Sequence, residues 1–400
     1  MRGSTKVALA EVAAINPRLP TRPPENTAIS FLGMADVDET RGGTTAGISK
    51  SFGEAANGHT LFLKEDLLVA KITPCFENGK IAAPRIATAV GVGSTEFHVV
   101  RPNETHVDRR FLLHFLRTGS VRALGELRMT GSAGQRRVPQ AFLTSLRVPL
   151  PGLREQRRIA RVLDAADALR AKRREATDEL RALTEGIFRT AFVSARGSSW
   201  PSVPVEDLAV QERGSIRTGP FGSQLLHSEF VPEGVAVLGI DNVVSNEFRW
   251  GRPRYITQRK YTELERYTVR PGDVLITIMG TCGRVAVVPD DIPTAINTKH
   301  LCCVTVDPTR CLPRFLHAYF LLHPAARHYL RDAAKGAIMS GLNMGTIKRL
   351  PVLLPPVEAQ QRYVSSVQKL DRQLEGAQAH LARLDALFAS LQHRAFASEL

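Results

Sequence analysis

Thr73-Pro74-Cys75-Phe76 is as near as this 400-residue chain comes to a reacting tetrapeptide. Adenine methyltransferases hold a flipped base with Asn/Asp-Pro-Pro-Tyr/Phe, and here the first position lacks the carboxamide or carboxylate that would accept from the exocyclic amine. No G-x-x-x-x-G-K-[ST] loop is present to cradle a nucleotide's phosphates. Neither a nucleophile elbow nor an H-E-x-x-H metal helix occurs. The cysteines Cys75, Cys282, Cys302, Cys303 and Cys311 are odd in number and form no C-x-x-C pair. Neither a disulfide framework nor a structural zinc site is indicated, which suits a reducing compartment. These absences favour a binder over an enzyme.

Charge points to what is bound. A formal net charge of +14 and a pI near 10.0 describe a surface that attracts polyanions, of which nucleic acid is the commonest. The alternative is an arginine-rich composition with no polyanion partner. The opening MRGSTKVALAEVAAINPRLP carries Glu11 inside its apolar stretch, unlike a secretory signal. No run approaches the ~18 apolar residues of a membrane span. A cytoplasmic protein without membrane contact is expected.

The elements that must position the basic groups come in two copies. The segment from Val148, VPLPGLREQRRIARVLDAADALRAKRREATDELRALTEGIFRTAF, aligns without a gap on the segment from Val352, an offset of 204 residues. Leu150/Leu354, Pro151/Pro355, Gln156/Gln360, Arg158/Arg362, Asp167/Asp371, Leu180/Leu384 and Ala191-Phe192/Ala395-Phe396 are shared. In the first copy, Ile159, Val162, Leu163, Ala166, Leu169, Ala176, Leu180, Leu183 and Ile187 recur at steps of three and four, the period of an amphipathic helix. In the second, Tyr363, Val367, Leu370, Leu374, Ala377, Leu381, Leu384, Phe388 and Leu391 form a coiled-coil seam. Helices of 35 to 40 residues would each be roughly 55 to 60 Å long, and the natural partner of each is the other, packed antiparallel.

The segments between them echo each other more faintly. Phe62 to Pro84 and Tyr267 to Pro289 both read as a turn with Asp66 or Asp273, a strand, a glycine-bearing loop and a second strand. Val99 onward and Val304 onward read as a strand followed by a helix starting near Arg110 or Arg314. Glycine-bearing loops, TGSAGQRRV and AAKGAIMSGLN, then lead back to the repeat, and GSSWPSVP (197–204) reads as a linker. The expected fold class is α+β, with two mixed α/β domains separated by two long helices that form an antiparallel coiled coil with pseudo-twofold symmetry. The boundaries are 1–150 for the first domain, 151–196 for the first helix, 197–350 for the second domain and 351–400 for the second helix.

The two-copy layout, the L-P-x-x-x-x-Q-R segment opening each helix, WPSVPVEDLA from Trp200 and IRTGPFGSQLL from Ile216 resemble the specificity subunit of type I restriction-modification systems. The resemblance spans essentially the whole chain. Departures are Gly152 in place of a second proline, and Ala359-Gln360-Gln361 in place of Glu-Gln-Arg. It implies a non-catalytic protein with two target-recognition domains, each binding one half of a bipartite site in double-stranded DNA, and helices that set the spacer. It implies as partners two methyltransferase subunits and restriction/translocase subunits. S-adenosylmethionine, ATP and Mg are expected on those partners, with no cofactor and no metal on this chain. A related system whose nuclease and methylase are fused in one partner fits the same features. A coiled-coil scaffold with no DNA role is the remaining alternative.

Base edges are read by Arg, Lys, Asn and Gln, whereas phosphates are met by Lys, Arg, small hydroxyls and glycine-rich backbone. By that criterion the DNA-binding candidates of the first domain are Lys71, Thr73, Asn78, Lys80, Ser132, Gln135, Arg136 and Arg137. Those of the second are Arg217, Thr218, Gln224, Arg284, Asn297, Lys299, Lys335, Ser340 and Asn343. Gln156, Arg157, Arg158, Arg161, Gln360 and Arg362 are the candidates for partner docking on the helices. Arg154, Arg157, Arg158, Arg161, Arg170, Lys172, Arg173 and Arg174 crowd the first helix, either as a solvated face or as a face for phosphates or an acidic patch of the modification subunit. Gly219 to Ser223 is either a tight turn or a DNA-facing loop. Asp66 and Asp273 are assigned to turn capping and Cys302-Cys303 to the core.

Overall fold

Two helices of 40 residues each, Leu153–Phe192 and Val357–Phe396, begin 204 residues apart, the offset of the sequence repeat. They belong to a computed structural model that describes residues 5–132, 134–194, 200–335 and 341–397. The chain divides into two compact units, Met1–Ala176 with Ala377–Leu400, and Thr177–Gly376. Each unit thus takes in part of both long helices. Of the expected linker, 197–199 lie outside the described residues, and Ser202–Pro204 is a strand rather than a loop. Among the described residues no helix is long and apolar enough to cross a membrane.

The first unit holds two four-stranded sheets. One runs Ala13–Ile15, Phe97–Pro102, Leu67–Ala70, Ile81–Ala82, antiparallel throughout. The other runs Ile48–Ser51, Ala28–Leu32, Val90–Gly93, Thr60–Leu63, with its central pair parallel. The Leu67–Ala70 strand is apolar at every position because both of its faces are covered. Leu67 and Val69 face the helices with Phe111, Leu112 and Leu116. Leu68, one residue out of phase, faces Leu32 and Phe62 of the second sheet.

The second unit repeats this frame. Ile216–Thr218, Leu301–Val304, Val274–Thr277, Val285–Val287 form the antiparallel sheet, and Tyr255–Ile256, Val235–Leu238, Ala295–Asn297 the second, again with a parallel pair. Adjacent Cys302 and Cys303 are both fully buried, and the two-residue period sends them to opposite faces. Cys302 joins Phe315 and Val352, whereas Cys303 joins Leu238 and Val288. In each unit a short ribbon, Lys6–Ala8 with Arg147–Pro149 or Ser202–Pro204 with Pro351–Leu353, leads into a long helix.

Within each unit the helix segments pack on the globular helices through aromatic side chains. Phe396 lies against Phe111 and Phe115 in the first unit, and Tyr363 against Phe188 and Phe192 in the second. Every position of the expected second-helix seam is buried or half-buried. The first helix departs from expectation: Leu169 and Leu183 are exposed, while Arg170, Thr177 and Phe188 turn inward. Arg170 can do so because its guanidinium pairs with Asp167 at 2.7 Å and Asp385 at 2.6 Å and covers the Phe388 ring at 4.3 Å. The arginine crowd is therefore of two kinds. Arg170 and Arg174 are tied to Asp385 inside the unit, while Arg154, Arg157, Arg161 and Lys172 are exposed.

Candidate nucleic-acid interface

In the first unit, candidates far apart in sequence come together. The 130–138 loop folds back on itself through the Thr130 and Arg137 backbones, then pairs with the strand end, Thr73 N–H to Arg136 O at 2.9 Å and Val138 N–H to Lys71 O at 2.8 Å. Lys71, Thr73, Asn78, Ser132, Gln135 and Arg136 thus share one patch, in which Asn78, Ser132 and Gln135 are exposed. Arg136 lies 3.9 Å from Glu77, and Thr73 Oγ1 donates to Glu77 at 3.0 Å.

Two of the set are committed elsewhere. Arg137 grips Glu96 with bonds of 2.7 and 3.0 Å, and that hydrogen bonding holds the Glu96 carboxyl below its ordinary range. Lys80 donates to the Met34 carbonyl at 2.9 Å. Both fasten loops instead of standing free for a base.

The second unit demands more corrections. Arg217 is buried, its guanidinium bonded to Asp273 at 2.6 Å and to the carbonyls of Thr268 and Gly214. A charge so enclosed serves the fold. Asn297 is fully buried and donates to the Leu301 carbonyl at 3.0 Å. Asn343 is exposed, but its side chain caps the helix Met344–Lys348 by accepting from Thr346 N–H at 2.9 Å. Gln224 accepts from Phe221 N–H and from the Tyr267 hydroxyl. Arg284 is exposed, and Lys299 and Thr218 are half-buried. Lys335 ends the helix Pro324–Lys335; its side chain and Ser340 lie outside the described residues.

Gly219 to Ser223 divides between its two readings. Gly219 and Pro220 are buried, and a Cβ on Gly219 would fall 1.9 Å from the Asn297 carbonyl oxygen, so only glycine fits there. Phe221 onward is exposed.

Asp66 and Asp273 do cap turns, accepting from Leu63 N–H and Arg270 N–H at 2.7 and 2.8 Å. Each is also the buried end of an ion pair, with Arg101 and with Arg217. Positions 204 apart supply Arg101, within its strand, in one unit and Thr305, one residue past the strand Leu301–Val304, in the other; in the second unit the guanidinium arrives from the neighbouring strand instead.

Gln156 and Gln360, expected to dock partners, are fully buried clasps. Gln156 accepts from Asp108 N–H at 2.7 Å and donates to the carbonyls of His106 and Pro151 at 3.0 and 2.8 Å. Gln360 accepts from Leu312 N–H at 2.8 Å and donates to Arg310 and Pro355 at 3.0 and 2.9 Å. The glutamine recurs because it ties the start of a long helix to the start of a globular one. Of the other docking candidates, Arg157, Arg161 and Arg362 are exposed, and Arg158 pairs with Glu155 at 2.6 Å.

One cluster escaped the sequence criterion. In the second unit the 244–254 loop exposes Arg249, Trp250 and Arg252, with Trp250 58% accessible. Its signal, three arginines alternating with two aromatics in Phe248-Arg249-Trp250-Gly251-Arg252-Pro253-Arg254, was available. Among the described residues no group of His, Cys, Asp and Glu could hold a metal ion.

Comparison with known proteins agrees with this duplicated frame. The Escherichia coli type I restriction enzyme EcoEI specificity subunit is 34% identical over 189 residues, 46% of this chain and 32% of that protein, so the match spans about a third of that relative. The EcoBI specificity subunit, also from Escherichia coli, is 23% identical over 75% of this chain and 68% of its own. The type I restriction-modification system S subunit from M. genitalium has the same fold, with a TM-score of 0.58 at 14% identity over 98% of this chain and 96% of that one. Residues 1–180 and 241–384 match the family described as type I restriction modification DNA specificity domain, and the chain belongs to that family.

Proposed function

We propose that the chain is the DNA specificity subunit of a type I restriction-modification enzyme, each unit binding one half of a bipartite site in double-stranded DNA. The observation that carries this reading is a frame kept twice with its loops changed. The sheets, the buried turn aspartates and the glutamine clasps recur, while the 71–80, 130–138 and 244–254 segments have no faithful copy. Duplicated scaffolds with divergent tips suit two different half-sites, and the net charge of +14 suits the phosphates common to both.

In this reading the two long helices form an antiparallel coiled coil with pseudo-twofold symmetry, and at 1.5 Å per residue each is a ruler of roughly 60 Å. Two methyltransferase subunits dock on the helical regions, with restriction/translocase subunits joining them. S-adenosylmethionine, ATP and Mg sit on those partners in the cytoplasm, and this chain contributes no catalysis. Coexpression with the methyltransferase subunit and genome-wide mapping of methylated adenines tests it. Two short sequences separated by unspecified bases are expected, whereas one contiguous motif refutes the two-reader model.

A further inference from the structure

The strand Val235–Leu238 runs through Gly239 into a short turn, Ile240–Asn242, in which Gly239 N–H donates to the Asn242 side chain at 2.9 Å. The other unit builds the same device after Ala28–Leu32, with Gly33 N–H donating to Asp36 at 2.7 Å. Each turn launches a loop that returns to an antiparallel strand, Ile48–Ser51 or Tyr255–Ile256. In the first unit the loop is DETRGGTTAG (38–47), small and without an aromatic. In the second it is VSNEFRWGRPR (244–254), with three arginines, Phe248 and Trp250. Equivalent places in the frame therefore carry unlike chemistry.

The second loop is held firmly while its tip stays open. Asp241 accepts from Arg252 N–H at 2.8 Å and pairs with the Arg254 guanidinium. Burial pushes the Asp241 carboxyl up, but these partners outweigh it and hold it below its ordinary range. Asn242 donates to the Arg249 carbonyl at 2.9 Å, and Asn246 accepts from Val285 N–H at 3.3 Å. A Cβ on Gly251 would sit 2.1 Å from Asp241 Oδ2, so the backbone can close on the carboxylate only with glycine. Above these anchors Trp250 stands edge-on to Phe248, centroids 5.4 Å apart, and remains 58% exposed. The backbone of Arg249 is fastened to Asn242, but its guanidinium pairs with the exposed Glu247 and stays exposed, as does Arg252.

We infer that this loop is a DNA-reading element of the second unit, with Trp250 packing against a base step of its half-site and Arg249 and Arg252 meeting the flanking phosphates. This rests on the DNA-reading role proposed above. A rigid aromatic between guanidinium groups matches a duplex, because apolar wedges unstack base steps while the cations neutralise the backbone beside them. An indole left in water on an anchored, cationic loop is otherwise unexplained by the fold.

The test uses the chain coexpressed with its methyltransferase subunits. For Trp250→Ala, one half of the methylated motif should become degenerate at one or more positions, the other half staying intact. Affinity for the cognate duplex should fall about tenfold or more. Trp250→Phe should recover part of the loss. Arg252→Ala should keep the motif and lower the salt slope by about one. An unchanged two-part motif with affinity within about twofold overturns the inference and leaves the two-reader model standing. So does loss of methyltransferase co-purification with DNA contact unchanged, which would assign the patch to a protein. A wild-type complex without a two-part motif overturns both.

Discussion

Replacing Gln156 with alanine should take the partner from three backbone groups at once. The carboxamide is fully buried, accepts from Asp108 N–H at 2.7 Å, and donates to His106 and Pro151 carbonyls at 3.0 and 2.8 Å. An unsatisfied donor costs about 1–3 kcal/mol, and each lost carbonyl bond only about 0.5 kcal/mol because His106 is exposed and Pro151 half-buried and their carbonyls can turn to water, so Gln156→Ala should cost about 2–4 kcal/mol. For a unit of this size that is a melting shift of roughly 5–15 °C. Asp108 also caps the helix Arg109–Leu116, accepting from Arg110 and Phe111 N–H. The damage should therefore appear in hydrogen exchange at Asp108 and the first turn of that helix, faster by about 30- to 1000-fold. Gln360→Ala should do the same at Leu312 in the other unit. Gln156→Glu separates packing from hydrogen bonding, because an ionised carboxylate can still accept from Asp108 but faces two carbonyl oxygens. Its destabilisation should be larger at pH 8 than at pH 4. A melting temperature within about 2 °C of wild type for Gln156→Ala, with Asp108 still protected, would refute the clasp.

Asp273→Ala leaves the Arg217 guanidinium buried without its carboxylate and should cost about 3–5 kcal/mol by urea denaturation; Asp66→Ala should cost less, since Arg101 is 23% exposed and can turn to water. The Asp164 carboxyl is pushed up by burial, but hydrogen bonds from His114 and Arg110 more than offset this and lower it below its ordinary value. A depressed folded pKa stabilises above the unfolded carboxylate value and is lost as pH falls through the folded one, so Asp164→Asn should flatten the acid limb of the stability profile; an unchanged limb refutes the pairing. Triple replacement of the exposed Arg154, Arg157 and Arg161 by alanine should reduce the salt slope of DNA binding by up to about three if this face meets phosphates, and an unchanged slope rules out the phosphate role. Alkylation at pH 8 should reach Cys75 and Cys282 and spare Cys302 and Cys311, whose thiols burial pushes up to about 12.

The repeat made much of the fold legible, because helix period and paired positions are local properties of a chain. Asp66 and Asp273 were readable as turn caps for the same reason: the bond to the residue three back is local. Their arginines were not, since Arg101 and Arg217 arrive from different strands. Arg217, Asn297, Lys80 and Arg137 have the right chemistry for DNA, and residue type alone cannot reveal that each is already engaged inside the fold. Trp250 falls outside a criterion built on polar and basic side chains, and its exposure is set by the anchoring of its loop.

By itself, then, the sequence determined the duplication, the two long helices and the division into frame and variable loops, all of which follow from spacing along one chain. Tertiary structure decided which polar side chains are spent holding that frame and which are left to meet a partner. The physical reason is burial: a guanidinium or carboxamide enclosed by the fold must satisfy its hydrogen bonds there, and enclosure depends on residues 48, 56 or 215 positions away that no local pattern encodes.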